Sequence, residues 1–222
     1  MTTTHTSTPT ASPAGKTRDA RKTRDGKTTR EAILSATLKR MHVHGYHATS
    51  LDEVLRDSGV GKGNFYYHFR SKEELGYAIL DLLVTGFVER TLEPCFADPD
   101  AAPLAQIRCF LDRIVEAQRD RQCRGGCAMG NLAAELSDVH EGFRKRLASV
   151  FTTWHARLAA ALADAKRRGH VTTACDPEAG ARFLVASLEG AILLGKVTKD
   201  IGVMEQCVGE LKRYLAAYEV RA

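Results

Sequence analysis

TSLDEVLRDSGVGKGNFYYHFRSKEEL, residues Thr49–Leu75, is the stretch that decides the fold. Ser50 stands three residues before Glu53, a spacing in which hydroxyl and carboxylate satisfy each other's backbone N–H groups at a helix start. Leu51, Val54 and Leu55 share one face of the short helix that follows, and Gly59 ends it. Val60 and Gly61 leave space only for a tight turn. A second short helix then runs from Lys62 to Phe69, with Phe65 and Phe69 one turn apart on its inner side. Two short helices joined by a glycine-containing turn form a helix-turn-helix. In that motif the second helix enters the major groove of double-stranded DNA. Lys62, Gly63 and Asn64 open this helix, so backbone and helix N-terminal amides can approach phosphate closely. Tyr66, Tyr67 and His68 then face outward. Phenol hydroxyls reach phosphates there, and ring edges pack on sugars or thymine methyls.

Charge supports this placement. The chain of 222 residues has a net charge of +5, yet residues 1–70 hold 12 Lys/Arg against 6 Asp/Glu, and residues 71–222 hold 20 against 21. The excess therefore belongs to the N-terminal third, as a phosphate-binding surface requires. Residues 1–27 are Thr, Ser, Pro, Gly, Lys and Arg with almost nothing apolar, and read as a disordered basic arm. Thr28 and Glu31 repeat the capping pattern, so structured chain is expected from about Thr28, with Ile33, Leu34, Thr37, Leu38 and Met41 at helical spacing and Gly45 at the end. Ser71 and Glu74 supply a third such pattern before a long helix carrying Leu75, Ile79, Leu82, Leu83, Gly86 and Phe87.

The remainder also reads as helix, over 104–118, 127–136, 139–168, 177–198 and 203–218. No strand and no fixed-period repeat emerges. The expected fold is all-α, of about nine helices. A three-helix DNA-binding domain over 28–75 precedes a helical effector-binding and dimerisation domain over 76–222. The helix at 177–198 mixes bulky Phe183, Leu184, Leu188, Ile192 and Leu193 with small Ala186, Gly190, Ala191 and Gly195. With Met204, Cys207, Val208, Leu211, Tyr214 and Leu215 of the last helix it is suited to a four-helix seam in a homodimer. No apolar run approaches 18 residues, and no secretory signal opens the chain, so the protein is expected in the cytoplasm, away from membranes.

The residues 28–75 resemble the TetR-type repressors: Thr49, the small residue and Gly59-Val60, Lys62-Gly63, Tyr66, the aromatic pair His68-Phe69, and Ser71-Lys72-Glu73 follow that family's pattern. The resemblance implies that Ser50 and its helix contact the DNA backbone. It implies that Lys62, Gly63, Asn64, Tyr66, Tyr67 and His68 read the operator and that Lys72 holds a phosphate. Gly61 departs from the family's common Ser cap, and His68 from its frequent Tyr. The segment 126–138, GCAMGNLAAELSD, and the run 188–196, LEGAILLGK, are similar to the branch that responds to electrophiles, quinones or small unsaturated acids. The resemblance implies a small-molecule or electrophile effector and a palindromic operator.

Six cysteines are present. Without a secretory signal they are expected as reduced thiols rather than a disulfide framework. Cys127 opens a short helix, whose dipole favours a thiolate, with Arg124 and Lys196 as further cations. Cys123, four residues earlier, is placed to resolve an oxidised Cys127 as a disulfide, and Trp154 to line the same pocket. The alternative is a pair of structural thiols. His42, His44 and His47 lack nearby Cys or carboxylate partners, so no metal is expected. There is no acid–base pair, nucleophile elbow or cofactor loop, so neither an enzyme nor a bound cofactor is expected. The competing reading is a basic architectural DNA-binding protein without an effector, which predicts no pocket in residues 76–222.

Overall fold

The computed structural model describes residue 1 and residues 15–220. It is helical throughout, with one isolated antiparallel bridge between Val171 and Glu219 among the described residues. The segments are α1 (Gly15–His44), α2 (Leu51–Ser58), α3 (Lys62–His68), α4 (Lys72–Phe87), a π-helical turn (Val88–Leu92), α5 (Glu93–Phe96), α6 (Pro103–Asp120), α7 (Ala128–Leu136), α8 (Glu141–Arg167), α9 (Pro177–Thr198) and α10 (Ile201–Ala216). The stretch from α4 to α5 runs without a break. Pro94 accounts for the altered turn within it. Proline has no N–H and its ring crowds the carbonyl four residues back. The Arg90 carbonyl instead accepts from the Arg113 guanidinium of α6 at 3.0 Å.

Caps explain most boundaries. Ser50 and Glu53 form the reciprocal box at α2, and Gly59 closes that helix with φ +67°. At α4 the Ser71 hydroxyl accepts from the Glu74 N–H, while the Glu74 carboxylate accepts from the Arg70 N–H at 2.8 Å instead of the Ser71 N–H. Asp176 and Asp200 cap α9 and α10. Thr28 is not a cap. It lies inside α1, which is already helical at Gly15. The Lys- and Arg-rich stretch before it contains good helix formers and no proline after Pro13, so nothing in it stops the helix from extending toward the N-terminus. The first part of the expected arm, residues 2–14, lies outside the described residues.

Three apolar clusters stack along the molecule. Ile33, Leu34, Val54, Phe65, Phe69, Leu75 and Ile79 hold α1–α4 together. Tyr46, Leu80, Leu132, Leu136, Phe143, Leu147 and Trp154 join that head to the body through α7 and α8. A larger cluster from α5, α6 and α8–α10 fills the body. Among the described residues no helix is long and apolar enough to cross a membrane.

Two expectations need correction here. Cys95 and Cys109 form a disulfide between α5 and α6. The short α5 folds back onto α6 and brings the two Cα atoms to 5.6 Å, within the bridging range. Arguing from compartment alone missed that geometry. The residues assigned to the dimer seam also divide differently. Leu184, Leu188, Ile192, Met204, Val208, Leu211 and Leu215 belong to the body's own core. The outward stripe of α9 is Phe183, Ala186, Gly190, Leu193, Leu194 and Val197.

Candidate DNA-reading head and effector cavity

In α3 the inner and outer faces separate cleanly. Phe65 and Phe69 are buried against α1, α2 and α4. Lys62, Gly63, Asn64, Tyr66 and Tyr67 are exposed, Tyr67 at 82%, and His68 is half-buried. Gly61 caps this helix with no side-chain hydrogen bond. Its first N–H groups therefore remain available to an anion. Ser50 is exposed at the start of α2, with its hydroxyl engaged by Glu53 at 2.9 Å. Arg40 of α1 fixes α2 by pairing with Asp57 at 2.5 Å and Glu53 at 3.0 Å, and holds the Asp57 carboxyl below its usual range. Gly26 lies beside the His68 ring, and Arg30 stacks over Phe69 at 5.2 Å. The stretch of α1 from Gly26 to Arg30 thus lies beside the reading helix.

Lys72 opens α4. Its ammonium donates to the His47 carbonyl at 3.2 Å and sits 4.6 Å from the Tyr46 ring centre, where burial pushes its pKa down.

A cavity of about 450 Å³ lies in the body, between α4 with the π turn, α6, the start of α7, α8 and α9. Phe87, Phe110, Ile114, Met129, Trp154, Leu188 and Ile192 supply apolar walls. Arg90, Arg113, Arg121, Glu116, Asp120, Gln118 and Glu189 supply polar groups, and Cys127 lies among them. The Trp154 ring stacks 4.4 Å from Phe87. Cys127 and Trp154, far apart in the chain, therefore meet in one chamber. A body with such a chamber is not what an effector-free architectural protein predicts.

Comparison with known proteins places these two sites in one family. Residues 33–79 match the family described as bacterial regulatory proteins, tetR family. Residues 103–209 match the tetracyclin repressor-like C-terminal domain. The transcriptional regulator AcuR of Cereibacter sphaeroides is 34% identical over 167 residues, 75% of this chain and 76% of that protein. The chain belongs to the TetR family. Its fold is similar to that of a TetR regulatory protein from Rhodobacter sphaeroides (TM-score 0.74, 31% identity, 82% of this chain and 96% of that one). It is likewise similar to E. coli NemR in reduced form (TM-score 0.74, 26% identity, 83% and 95%). The chain is thus a DNA-binding transcriptional regulator of the TetR family, and the curated relatives it matches carry the names of regulators.

In this TetR-family body the thiol chemistry differs from expectation. Cys127 does cap α7, its sulfur accepting from the Gly130 N–H at 3.3 Å. Yet burial, and then the neighbouring Glu189, push its pKa up to about 12. Desolvation outweighs the helix terminus here, so the thiol is protonated. Burial raises the Glu189 carboxyl as well, with the Cys127 hydrogen bond opposing. Arg121, not Arg124, lies on the cavity wall, and the Lys196 ammonium donates to Asn131 Oδ1 at 3.0 Å. Cys123 is buried and does not line the cavity, and it sits on left-handed backbone at φ 55°. Both remain free thiols. Glu189 was the signal passed over: a lone carboxylate in the apolar run Leu188–Leu194. Arg90, Arg113 and Arg121 carried no local pattern that marks them.

Proposed function

We propose that this TetR-family regulator is a repressor, a cytoplasmic homodimer that binds a palindromic operator through α3 and is released when a small molecule occupies the cavity beside Cys127 and Trp154. The division of labour would fall near residue 75, with 28–75 as the reading head and 76–222 as effector and dimer domain. The cavity carries this reading: a concave chamber with apolar walls and convergent polar groups is the usual form of a small-ligand site. Its walls suit a compact molecule that has both an apolar face and polar groups. The outward stripe of α9, with Val197 72% exposed and Leu193 56%, supports pairing with a second copy about a two-fold axis. Lys62, Gly63, Asn64, Tyr66, Tyr67 and His68 would read base edges, with Ser50 on the backbone.

A second reading is covalent capture of an electrophile at Cys127, favoured by the thiol's place on the cavity wall and by Glu189, whose carboxylate is positioned to take its proton. One experiment separates the two. A duplex selected by the wild-type protein from a random pool is bound by wild type and by Cys127→Ser, then challenged with N-ethylmaleimide, a quinone, and a panel of small non-electrophilic acids. Release of both proteins by a non-electrophile establishes the reversible effector. Release of wild type alone by the electrophiles establishes the thiol. Retention of DNA by wild type under every challenge and under thermal-shift hits would overturn the reading.

A further inference from the structure

Glu135 sits near the end of α7, the helix whose other end is capped by Cys127 at the cavity. Its carboxylate accepts from two consecutive backbone N–H groups of the turn between α1 and α2, Tyr46 at 2.9 Å and His47 at 2.6 Å. This is one side chain from the body holding the backbone of the head. Gly45 permits the approach: a Cβ there would lie 2.8 Å from a Glu135 oxygen, on backbone with φ +82°. At the cavity end, α7 is anchored just as closely. Gly130 abuts Glu189, with a Cβ at that position landing 2.5 Å from its oxygen, and Asn131 is bonded to both the Gly125 carbonyl and Lys196. The eight-residue interval from Cys127 to Glu135 spans about 12 Å of helix.

We infer that α7 is a rigid strut and Glu135 a positioning residue, by which occupancy of the cavity displaces the turn that orients α2 and α3. The inference rests on the effector reading above and deepens it. A helix this short, packed through Leu132 and Leu136 into the junction cluster, moves as a unit instead of bending. A displacement at Cys127 therefore arrives at Glu135. Two charge-assisted hydrogen bonds to adjacent amides define a direction as well as a position. Because the acceptor holds main chain, the coupling is independent of the residue types at 46 and 47.

The test replaces the unidentified effector by a side chain that fills the chamber. Cys127→Phe and Cys127→Trp, each pressing on the cavity end of α7, are made with Glu135 intact and with Glu135→Ala. Affinity for the selected duplex is measured, and thermal unfolding shows that each variant is folded. With Glu135 present, each pressing variant is expected to weaken DNA binding at least tenfold. In the Glu135→Ala chain the same change should cost less than threefold. Glu135→Gln keeps an oxygen that can accept one of the two N–H groups and should restore part of the coupling. Hydrogen exchange of the Tyr46 and His47 amides should quicken in the pressing variants as in Glu135→Ala. Equal losses with and without Glu135, a Gln variant indistinguishable from Ala, or unchanged amide protection in pressed protein that has lost DNA would each overturn the strut while leaving the effector reading standing. Full DNA binding by both pressing variants in the Glu135 chain would remove the effector reading and the strut with it.

Discussion

The head and the body of this regulator solve opposite problems with the same element. In the head, chemistry is displayed: α3 buries two phenylalanines and turns its polar residues outward. In the body, chemistry is enclosed: the arginines, Glu189 and Cys127 face a chamber walled by five separate segments. The displayed surface is built by consecutive residues on one short helix, so local rules specify it. The enclosed one exists only after distant helices pack. The difference also sets what a mutation can do. A change on the outside of α3 subtracts a contact, whereas a change in the chamber alters a core.

The contrast is sharpest within α9, which has one face of each kind. Leu193→Glu together with Val197→Glu, on the outward stripe, should leave folded monomers. Their affinity for the operator should fall toward the non-specific level, on the order of a thousandfold or more, with sedimentation showing the loss of dimer. Leu184→Glu, on the fully buried face of the same helix, should instead lose cooperative unfolding, because a lone charge buried in a core has no partner. Folded, dimeric protein from both sets of changes would erase the distinction between the faces. In the head, Tyr67→Ala should cost about 1–3 kcal/mol of operator binding if the ring or hydroxyl reads a base, with the melting temperature unchanged. Gel shifts at fixed salt decide this, and an unaltered affinity removes α3 from the interface. Ser50→Ala should lower stability by about 1 kcal/mol through loss of the cap, seen in chemical denaturation.

Removing residues 1–27 now takes away helix as well as charge, since α1 begins at Gly15. Binding to all sequences should weaken together, with a shallower salt dependence. An unchanged slope would place this segment off the DNA. The smallest effect concerns acid. Arg40 and Ser50 hold the Asp57 and Glu53 carboxyls below their ordinary values. The stabilisation is therefore present above the unfolded-state carboxylate range and is lost as pH falls through the lower folded values. Arg40→Met should flatten that acid limb of the stability profile, slightly, because both pairs are solvent-screened.

The same contrast explains what was legible in the sequence. Caps at Ser50 and Ser71, the stop at Gly59 and the Phe65–Phe69 pair are rules of short range, and each marks an element directly. Thr28 shows their limit: the capping pattern occurs inside a helix when the preceding residues also propagate one. Cys127 was legible from its place at a helix start and Trp154 as an aromatic able to line a pocket, but no spacing joined the two. The thiol's protonation was not legible, because it depends on burial and on Glu189, sixty-two positions along the chain. Leu188 and Leu193 share one apolar run, and hydrophobicity alone gives no means to tell inward from outward on a helix apolar on more than one side. Glu135 looked like an ordinary surface acid, since its partners are backbone amides that carry no sequence signal.

The Cys95–Cys109 bridge bears on how an effector for this protein would be found. It closes a loop with a sequence separation of 14, and a cross-link of that size restricts the unfolded chain enough to add about 3 kcal/mol. A ligand present at a hundred times its dissociation constant raises stability by about 2.7 kcal/mol. Reductant and effector thus shift the melting curve by comparable amounts in opposite directions. A screen run in dithiothreitol and one run in air start from different baselines. A thiol-oxidising compound such as a quinone, taking up two electrons and two protons from the reduced pair, can re-form the bridge and raise the melting temperature without entering the chamber. Screening the Cys95→Ser, Cys109→Ser double variant in parallel separates the two, since a shift that survives in it comes from binding.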